Sequence, residues 1–167
     1  LHYPLRRQRQ MCIRDSFHSS HSIYRTHSTS LIAARDHFHL IGVGSDAVDD
    51  AGRTVFDEFY LLDGSSIFDK LNKLKSICEK NGAAVLYMPS IGMDLTTIFA
   101  SNTRLAPVQV IALGHPATTH SDFIEYVIVE DDYVGSEKCF SEQLLRLPKD
   151  ALPYVPSALA PQSVEYH

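Results

Sequence analysis

Short apolar runs alternate with helical patterns along the chain from residue 17 onward. The runs that predict strands are residues 39–44, 54–62, 83–88, 107–113 and 125–129. Continuous apolar runs are typical of strands that are buried on both faces, as in parallel sheets. Because helical patterns lie between the runs, the order of elements predicts an α/β fold with a Rossmann-like, doubly wound parallel sheet.

The clearest helical pattern covers residues 67–78, where apolar side chains recur at helical spacing and lysines occupy the outer side. Ser65 or Ser66 is suited to cap its start, and the Asn81-Gly82 pair is suited to end it. Residues 28–37 predict a second helix with Ser28 at the N-cap, and residues 95–100 a short third one.

The two ends of the chain differ from this pattern. Residues 1–16 show neither helical nor strand periodicity, and their composition changes abruptly at Phe17, so we interpret them as a non-native, artefactual segment. A strand is expected at that place, and the segment would have overwritten it. Residues 17–147 form the predicted domain. Residues 148–167 contain four prolines and predict a linker.

Composition narrows the function classes. The 167 residues suffice for one domain, and the net charge is −5. Residues 1–16 hold four arginines and one aspartate, a sum of +3, so the rest of the chain carries −8. An excess of acidic residues provides no positively charged surface for binding nucleic acid, so no nucleic-acid partner is predicted. No apolar run is long enough to span a membrane. Three widely spaced cysteines, Cys12, Cys78 and Cys139, favour a reducing compartment and therefore the cytoplasm.

Candidate chemistry lies in two loops that follow predicted strands, where α/β sheets bind ligands. His21 and His27 occupy the first, over residues 17–27, and His115 the second, over residues 114–120. Imidazole is suited to move protons near neutral pH, so these three are the catalytic candidates. The candidates for holding a phosphate or an acceptor are the neighbouring polar, cationic or glycine residues Arg25, Thr26, Ser28, Gly114, Thr118, Thr119 and His120.

Other interpretations of the histidines stay open. His18, His37 and His39 are more readily explained as surface or strand-end residues. A zinc site is disfavoured because no histidine pair has His-x-x-x-His spacing and no cysteine lies nearby, so no metal is predicted. The residues alone indicate an enzyme rather than a binding module, with the reaction undetermined. The alternative is a stand-alone, non-catalytic α/β module with a histidine-lined ligand site.

Longer strings carry a family resemblance. Residues 21–38 read HSIYRTHSTSLIAARDHF and residues 105–128 read LAPVQVIALGHPATTHSDFIEYVI. These strings resemble the bacterial cytoplasmic N-glycosyltransferases that modify high-molecular-weight adhesins. Those enzymes belong to glycosyltransferase family 41, together with protein O-GlcNAc transferase. The resemblance extends from Phe17 to about Gln162.

The resemblance implies an enzyme with two Rossmann domains, the GT-B architecture, of which this chain is the N-terminal, acceptor-side half. It further implies inverting, metal-independent transfer of a sugar to asparagine in Asn-x-Ser/Thr sequons, without a cofactor. The donor would be UDP-glucose or UDP-galactose, and the acceptors would be polypeptides such as adhesins. O-linked transfer to Ser/Thr is the sister alternative within the family, and the string GHPATTH favours the N-linked branch.

The family also implies positions for the candidate residues. His27 matches a histidine near the reaction centre of the O-GlcNAc relative, and His21 is a second acceptor-site candidate. His115 is expected to face the cleft and to orient a ligand, since the eukaryotic relative has tyrosine there.

The chain is expected to be a fragment that lacks the nucleotide-sugar domain and a preceding helical domain. Without the first strand, the sheet is expected to expose an unpaired edge and to be prone to aggregation.

The isolated 167-residue chain is expected to transfer no glucose to an Asn-x-Thr peptide. Half of the catalytic cleft would be missing, so the binding energy of the transition state could not be assembled. Incubation with radiolabelled UDP-glucose and peptide tests this, and incorporation of label above that of a heat-denatured sample would contradict it.

Overall fold

The described part of the chain folds as a seven-stranded parallel sheet flanked by helices. The computed structural model describes residues 8–13, 17–112, 118–149, 151 and 154–157, with the backbone alone for residues 8–13. The strands are β1 (Gln8–Ile13), β2 (Phe38–Gly44), β3 (Glu58–Leu61), β4 (Val85–Met88), β5 (Val108–Ala112), β6 (Tyr126–Glu130) and β7 (Gln143–Leu147). The helices are α1 (Ser22–Ala34), α2 (Asp50–Arg53), α3 (Ile67–Asn81) and α4 (Leu95–Ser101), with 3₁₀ turns at Asp131–Tyr133 and Glu137–Cys139.

The strand order β3-β2-β1-β4-β5-β6-β7 is that of a doubly wound sheet. From β1 the chain proceeds outward through β2 to β3, then returns to β4 and proceeds outward on the other side. Every neighbouring pair in this order is parallel. The predicted fold class is therefore confirmed.

A strand, β1, lies within residues 1–16, where the sequence shows no strand periodicity, and the interpretation of this segment as non-native stays a prediction. Gln8–Ile13 form a strand at the centre of the sheet, paired in parallel with both β2 and β4. The expected unpaired edge is therefore absent between these strands. The N–H and C=O groups of β2 and β4 that face each other need partners, and β1 provides them. Because these bonds involve only the main chain, they depend little on the side chains of β1. The remaining residues of the segment, 1–7 and 14–16, lie outside the described part.

The apolar core has two layers, one on each face of the sheet. Side chains that alternate along a strand enter opposite layers, as Leu86 and Met88 do on one face and Tyr87 on the other. Helix α3, helix α4 and the segment after α4 that holds Leu105 and Ala106 cover the first face. Helix α1 and Phe17 cover the second. Burial on both faces explains why the strands appear as continuous apolar runs.

Helix α1 begins six residues earlier than predicted. Its first residue is Ser22, and His21 is the N-cap, with the imidazole accepting a hydrogen bond from the Ile23 N–H. The prediction that Ser28 caps this helix is wrong, because Ser28 lies inside it and is buried. The sequence HSIYRTH consists mostly of residues of middling to low helix propensity, and tertiary packing of Ile23 outweighs that preference.

The helix predicted over residues 67–78 is confirmed as α3. Ser66 is its N-cap in a reciprocal capping box with Asp69, and Gly82 ends it in the left-handed conformation at φ 58°. Such a φ favours glycine, which explains the Asn-Gly stop in the sequence.

Two elements on the sheet edges differ from prediction. The strand predicted over residues 54–62 is shorter, since residues 54–57 form a turn after α2 and the strand that pairs with β2 is Glu58–Leu61. Strand β7 lies outside the predicted strands, and three of its five residues are exposed. Both are edge strands, which bury one flank only and so carry weaker apolar signals.

The amide of Gln109 ties the entry of β5 to the entry of β6. The side chain is fully buried. Its oxygen accepts from the N–H groups of Leu105 (2.7 Å) and Ala106 (3.2 Å), and its nitrogen donates to the carbonyls of Thr103 (3.2 Å) and Phe123 (3.0 Å). All hydrogen-bonding capacity of the buried amide is thereby used.

Replacement Gln109→Leu is expected to lower the free energy of unfolding by on the order of 3 kcal/mol or more. The volume is nearly unchanged, but two buried N–H groups and two carbonyls lose their partner, at about 1–3 kcal/mol for each group left unsatisfied. Urea denaturation of the chain followed by circular dichroism measures the loss. Gln143→Leu is the matched control, since Gln143 is exposed on β7, and equal stability of the two variants would contradict the assignment.

Candidate functional site

The crevice of this sheet lies where β1 and β4 adjoin. The helices that follow these two strands, α1 and α4, cover opposite faces of the sheet, and in such sheets a groove lies outside the strand ends between them. The loop from Phe17 to His21, between β1 and α1, lies on one side. Residues 89–94, between β4 and α4, lie on the other. Of the predicted site residues in the described part, His21 lies in the first of these segments, and Thr118 and Thr119 line a cavity together with Ile91 and Gly92 of the second.

His21 combines a capping role with an oriented imidazole. Its Nδ1 accepts the Ile23 N–H at 3.2 Å, and its backbone N–H donates to the His18 carbonyl at 2.8 Å. An Nδ1 atom that accepts a hydrogen bond carries no proton, so the neutral ring carries its proton on Nε2. The His18 ring packs edge-on against it, with ring centroids 5.3 Å apart. His21 is therefore set to donate a hydrogen bond through Nε2.

His27 lies inside α1, and the prediction that places it in the preceding loop is wrong. Its side chain is 3% exposed and points toward the sheet. The Tyr87 hydroxyl lies 3.1 Å from its Nδ1, in the apolar layer that α1 covers. A cavity of about 190 Å³ adjoins the pair, lined also by Leu31 and Ile128. This geometry assigns His27 a packing and hydrogen-bonding position beneath the helix, away from the crevice.

The neighbours of His27 in α1 are engaged within the structure. The Thr26 hydroxyl donates to the Ser22 carbonyl at 2.9 Å, and Ser28 is buried. The Arg25 guanidinium lies 5.0 Å from the centre of the Tyr154 ring, and the Arg25 carbonyl accepts the Val155 N–H at 2.8 Å. Residues 154–155 of the predicted linker thus contact α1. The ligand-holding roles predicted for these three residues remain predictions.

Thr118, Thr119 and His120 are bound to the segment that precedes β7. The buried carboxylate of Glu142 accepts from the Thr118 hydroxyl at 2.8 Å, the Thr119 N–H at 2.8 Å and the Thr119 hydroxyl. His120 is exposed, adopts the left-handed conformation at φ 52°, and donates its N–H to Ser141 at 3.1 Å. The two threonine hydroxyls predicted to hold a ligand are occupied by Glu142.

The second predicted loop is described only in part. Gly114 and His115 lie outside the described residues, so the predictions for them stay as they are. A cavity of about 280 Å³ lies between α4 and the described end of this loop, lined by Ile98, Asn102 and Thr119 among others.

Sequence patterns missed two polar residues that organise these regions. Glu142 is remote in sequence from the threonines it holds, and Tyr87 is one of several apolar positions in its strand run. A lone acidic residue beside the edge strand and a tyrosine within a buried strand were the available signals. Buried polar atoms require partners, and the structure supplies them.

Metal binding has no structural support within the described residues. They contain no cluster of three or more histidine, cysteine, aspartate or glutamate side chains that is able to hold an ion. Among the same residues, no helix has the length and apolar character needed to cross a bilayer.

Comparison with curated proteins finds two relatives, and in each of them the match covers part of the relative's length. The chain is 76% identical over 152 residues to the UDP-glucose:protein N-beta-glucosyltransferase of Actinobacillus pleuropneumoniae serotype 5b (strain L20). It is equally identical, over the same length, to the protein of that name from serotype 7 (strain AP76). The matched part is 91% of this chain and 24% of each relative. The chain therefore spans about a quarter of the length of the curated relatives it matches.

Comparison with solved structures finds the same fold in a mutant of Thermobaculum terrenum O-GlcNAc transferase. The TM-score is 0.74 at 23% sequence identity, over 90% of this chain and 29% of the other. The chain matches no protein-family model. The resemblance identified in the sequence, to N-glycosyltransferases and to O-GlcNAc transferase, is confirmed by these similarities.

Replacement Glu142→Gln is expected to lower the free energy of unfolding at pH 7 by about 1–3 kcal/mol, since it breaks the clamp on residues 118–119. Burial raises the pKa of Glu142, but hydrogen bonds from Thr119 and Thr118 outweigh it, so the pKa lies below its ordinary value of 4.5. A lowered pKa means that the stabilisation is present above the unfolded pKa and is lost as pH falls through the folded one.

The difference between wild type and Glu142→Gln is therefore expected to narrow as pH falls below 4.5. Urea denaturation across this range measures it. The control is Glu79→Gln, since Glu79 is exposed on α3. A difference in the free energy of unfolding that stays constant with pH would contradict the assignment that an ionised Glu142 holds Thr118 and Thr119.

Proposed function

We propose that the chain is the acceptor-side Rossmann domain of a GT-B enzyme that transfers glucose from UDP-glucose to a protein. The observation that carries the proposal is the 76% identity over 152 residues to enzymes named for this reaction. The two-layer sheet with its crevice between β1 and β4 supports it, because such sheets bind ligands at that edge.

The reaction proposed is inverting and N-linked, with asparagine of an Asn-x-Ser/Thr sequon as acceptor. The name of the relatives specifies a β-linked product on nitrogen from UDP-glucose. The glucose of UDP-glucose is α-linked to phosphate, so a β product requires inversion at the anomeric carbon. The side-chain amide of asparagine supplies the nitrogen, and polypeptides such as adhesins supply the acceptor. UDP-galactose is an alternative donor that the same assay distinguishes.

His21 is the residue we place at the acceptor. Its Nε2 proton, fixed by the Ile23 N–H on Nδ1, is suited to donate to the carbonyl oxygen of the acceptor amide or to a phosphate oxygen. A hydrogen bond to that oxygen positions the amide for in-line attack and lowers the entropic cost of reaching it. The lone pair of Nδ1 is already engaged, which argues against His21 as the proton-accepting base.

The departing UDP develops negative charge that must be compensated. We propose that the enzyme does this without a metal, through cations and helix N-termini. His115 and Gly114 are candidates to contact the phosphate or the acceptor from the loop after β5. Action in a reducing, cytoplasmic compartment is also proposed, because Cys78 and Cys139, the cysteines with described side chains, form no disulfide.

Replacement His21→Asn is expected to reduce glucose transfer by on the order of a hundredfold while the fold is kept. Asparagine is an effective N-cap, so α1 retains its cap, whereas the imidazole donor is lost. The test protein is the full-length serotype 5b relative with its matching 152-residue segment replaced by that of this chain. Transfer from UDP-glucose and, in parallel, UDP-galactose to an Asn-x-Thr peptide and to its Gln-x-Thr and Ser-x-Thr counterparts is measured by mass spectrometry.

His37→Asn is the matched control, since His37 is exposed at the opposite end of α1. His27→Ala is expected to lower the melting temperature, whereas the transfer rate of the folded enzyme is expected to change little. Unchanged transfer in His21→Asn would remove His21 from the site but leave the reaction assignment intact. Transfer to the serine peptide with none to the asparagine peptide would replace N-linked by O-linked chemistry.

A further inference from the structure

The carboxylate of Asp49 joins the loop that carries His21 to the next loop along the sheet. Its Oδ2 accepts from both the N–H (2.9 Å) and the hydroxyl (2.7 Å) of Ser19. Its Oδ1 accepts the Gly52 N–H at 2.8 Å, which caps α2. The two oxygens thus serve different elements. Ser19 lies between β1 and α1, and Asp49 lies between β2 and α2.

Close backbone contact supports the same junction. A Cβ atom added to Gly52 would lie 1.9 Å from the Phe17 carbonyl oxygen, so only glycine allows α2 to approach the loop this closely. The Phe17 ring is buried and packs against Tyr24 at a centroid distance of 5.3 Å and against Phe56 at 5.6 Å. The start of the loop is therefore fixed from two sides.

Ser19 is linked to His21 through one tight turn. The His21 N–H donates to the His18 carbonyl at 2.8 Å, and His18 Nδ1 lies 2.9 Å from the Ser20 hydroxyl. The turn spans only residues 18–21, so displacement of Ser19 moves the His21 backbone and the imidazole attached to it. Distances between groups that must react tolerate little error, since a shift of about 1 Å can cost on the order of a hundredfold in rate.

We propose that Asp49 is a positioning residue for glycosyl transfer: its Oδ2 fixes Ser19 and, through the turn at residues 18–21, sets the place of the His21 imidazole. The inference rests on the proposed function, since it assumes that His21 contacts the acceptor. It goes beyond that function by assigning a role to the β2–α2 loop, which holds none of the residues expected at the site.

The capping of α2 does not account for this arrangement. A cap uses one side-chain oxygen, and Oδ1 of Asp49 supplies it. Asp69 shows the contrast: it also accepts from a serine N–H and from serine hydroxyls, those of Ser65 and Ser66, but all within the start of its own helix α3. Asp49 accepts the same kinds of hydrogen bond from Ser19, a residue 30 positions away in the sequence.

Hydrogen bonding keeps Asp49 ionised. Burial raises the pKa of this carboxyl, but the bonds from Ser19 and Gly52 and the nearby His18 outweigh it, so its pKa is lowered. An ionised carboxylate is an acceptor at both oxygens. Replacement Asp49→Asn retains one oxygen for the α2 cap and opposes the Ser19 N–H with an NH₂ group. This variant therefore separates the two roles of Asp49.

The test uses the full-length chimera described above. Asp49→Asn is expected to lower kcat for the Asn-x-Thr peptide by on the order of ten- to a hundredfold, with the KM for UDP-glucose unchanged. Ser19→Ala is expected to give an intermediate loss. Asp69→Asn is the matched control, because it breaks equivalent bonds at α3 and should lower the melting temperature without lowering kcat.

A double-mutant comparison separates positioning from general destabilisation. In the His21→Asn background, Asp49→Asn is expected to change kcat by less than about twofold, since Asp49 acts through the imidazole. Full multiplication of the two losses, or a kcat for Asp49→Asn equal to that of Asp69→Asn, would overturn the inference. If His21→Asn is inactive while Asp49→Asn is normal, only the inference fails. If His21→Asn transfers at the wild-type rate, the site assignment and the inference fail together.

Discussion

The structure depends on an extended segment filling the gap between β2 and β4. Both strands direct unpaired N–H and C=O groups into that gap, and a buried backbone group without a partner costs as much as a lost hydrogen bond. Gln8–Ile13 satisfy the two rows at once. Main-chain pairing depends little on which side chains the segment carries, so a sequence that does not resemble a strand can occupy the position. The two halves of the sheet, β3-β2 and β4 to β7, are joined through it.

The same strand determines where chemistry can occur. The turn at residues 18–21 lies between β1 and α1, and the position of His21 follows from the contacts that fix this turn. The Ile23 N–H sets the tautomer of the imidazole, and Asp49 and Gly52 set the backbone that carries it. Each of these contacts comes from a backbone group or from a residue outside the histidine cluster. The candidate site is therefore built by its surroundings as much as by the histidines themselves.

The sequence predicted the parts of this fold whose signals are local or strongly apolar. The serine N-cap of α3, the Asn81-Gly82 pair that ends this helix and the apolar strands from β2 to β6 were predictable because each is specified by a few neighbouring residues. Strand β1 and edge strand β7 were not, since pairing partners distant in sequence specify them. In the site, the histidines were easy to find, but their environments were not: the burial of His27 against Tyr87 and the clamp of Glu142 on Thr119 arise from contacts across the sheet.

The buried amide of Gln109 has a consequence for evolutionary drift. Its oxygen serves two N–H groups and its nitrogen two carbonyls. Glutamate there would bury a charge, an apolar side chain would orphan four groups, and asparagine would be too short to reach both loops. Each of these single substitutions is therefore expected to lower the stability of the fold. A change at position 109 would be tolerated more easily together with changes in both loops that it contacts. A residue such as Gln109 can therefore be constrained by folding alone, without any contact to substrate.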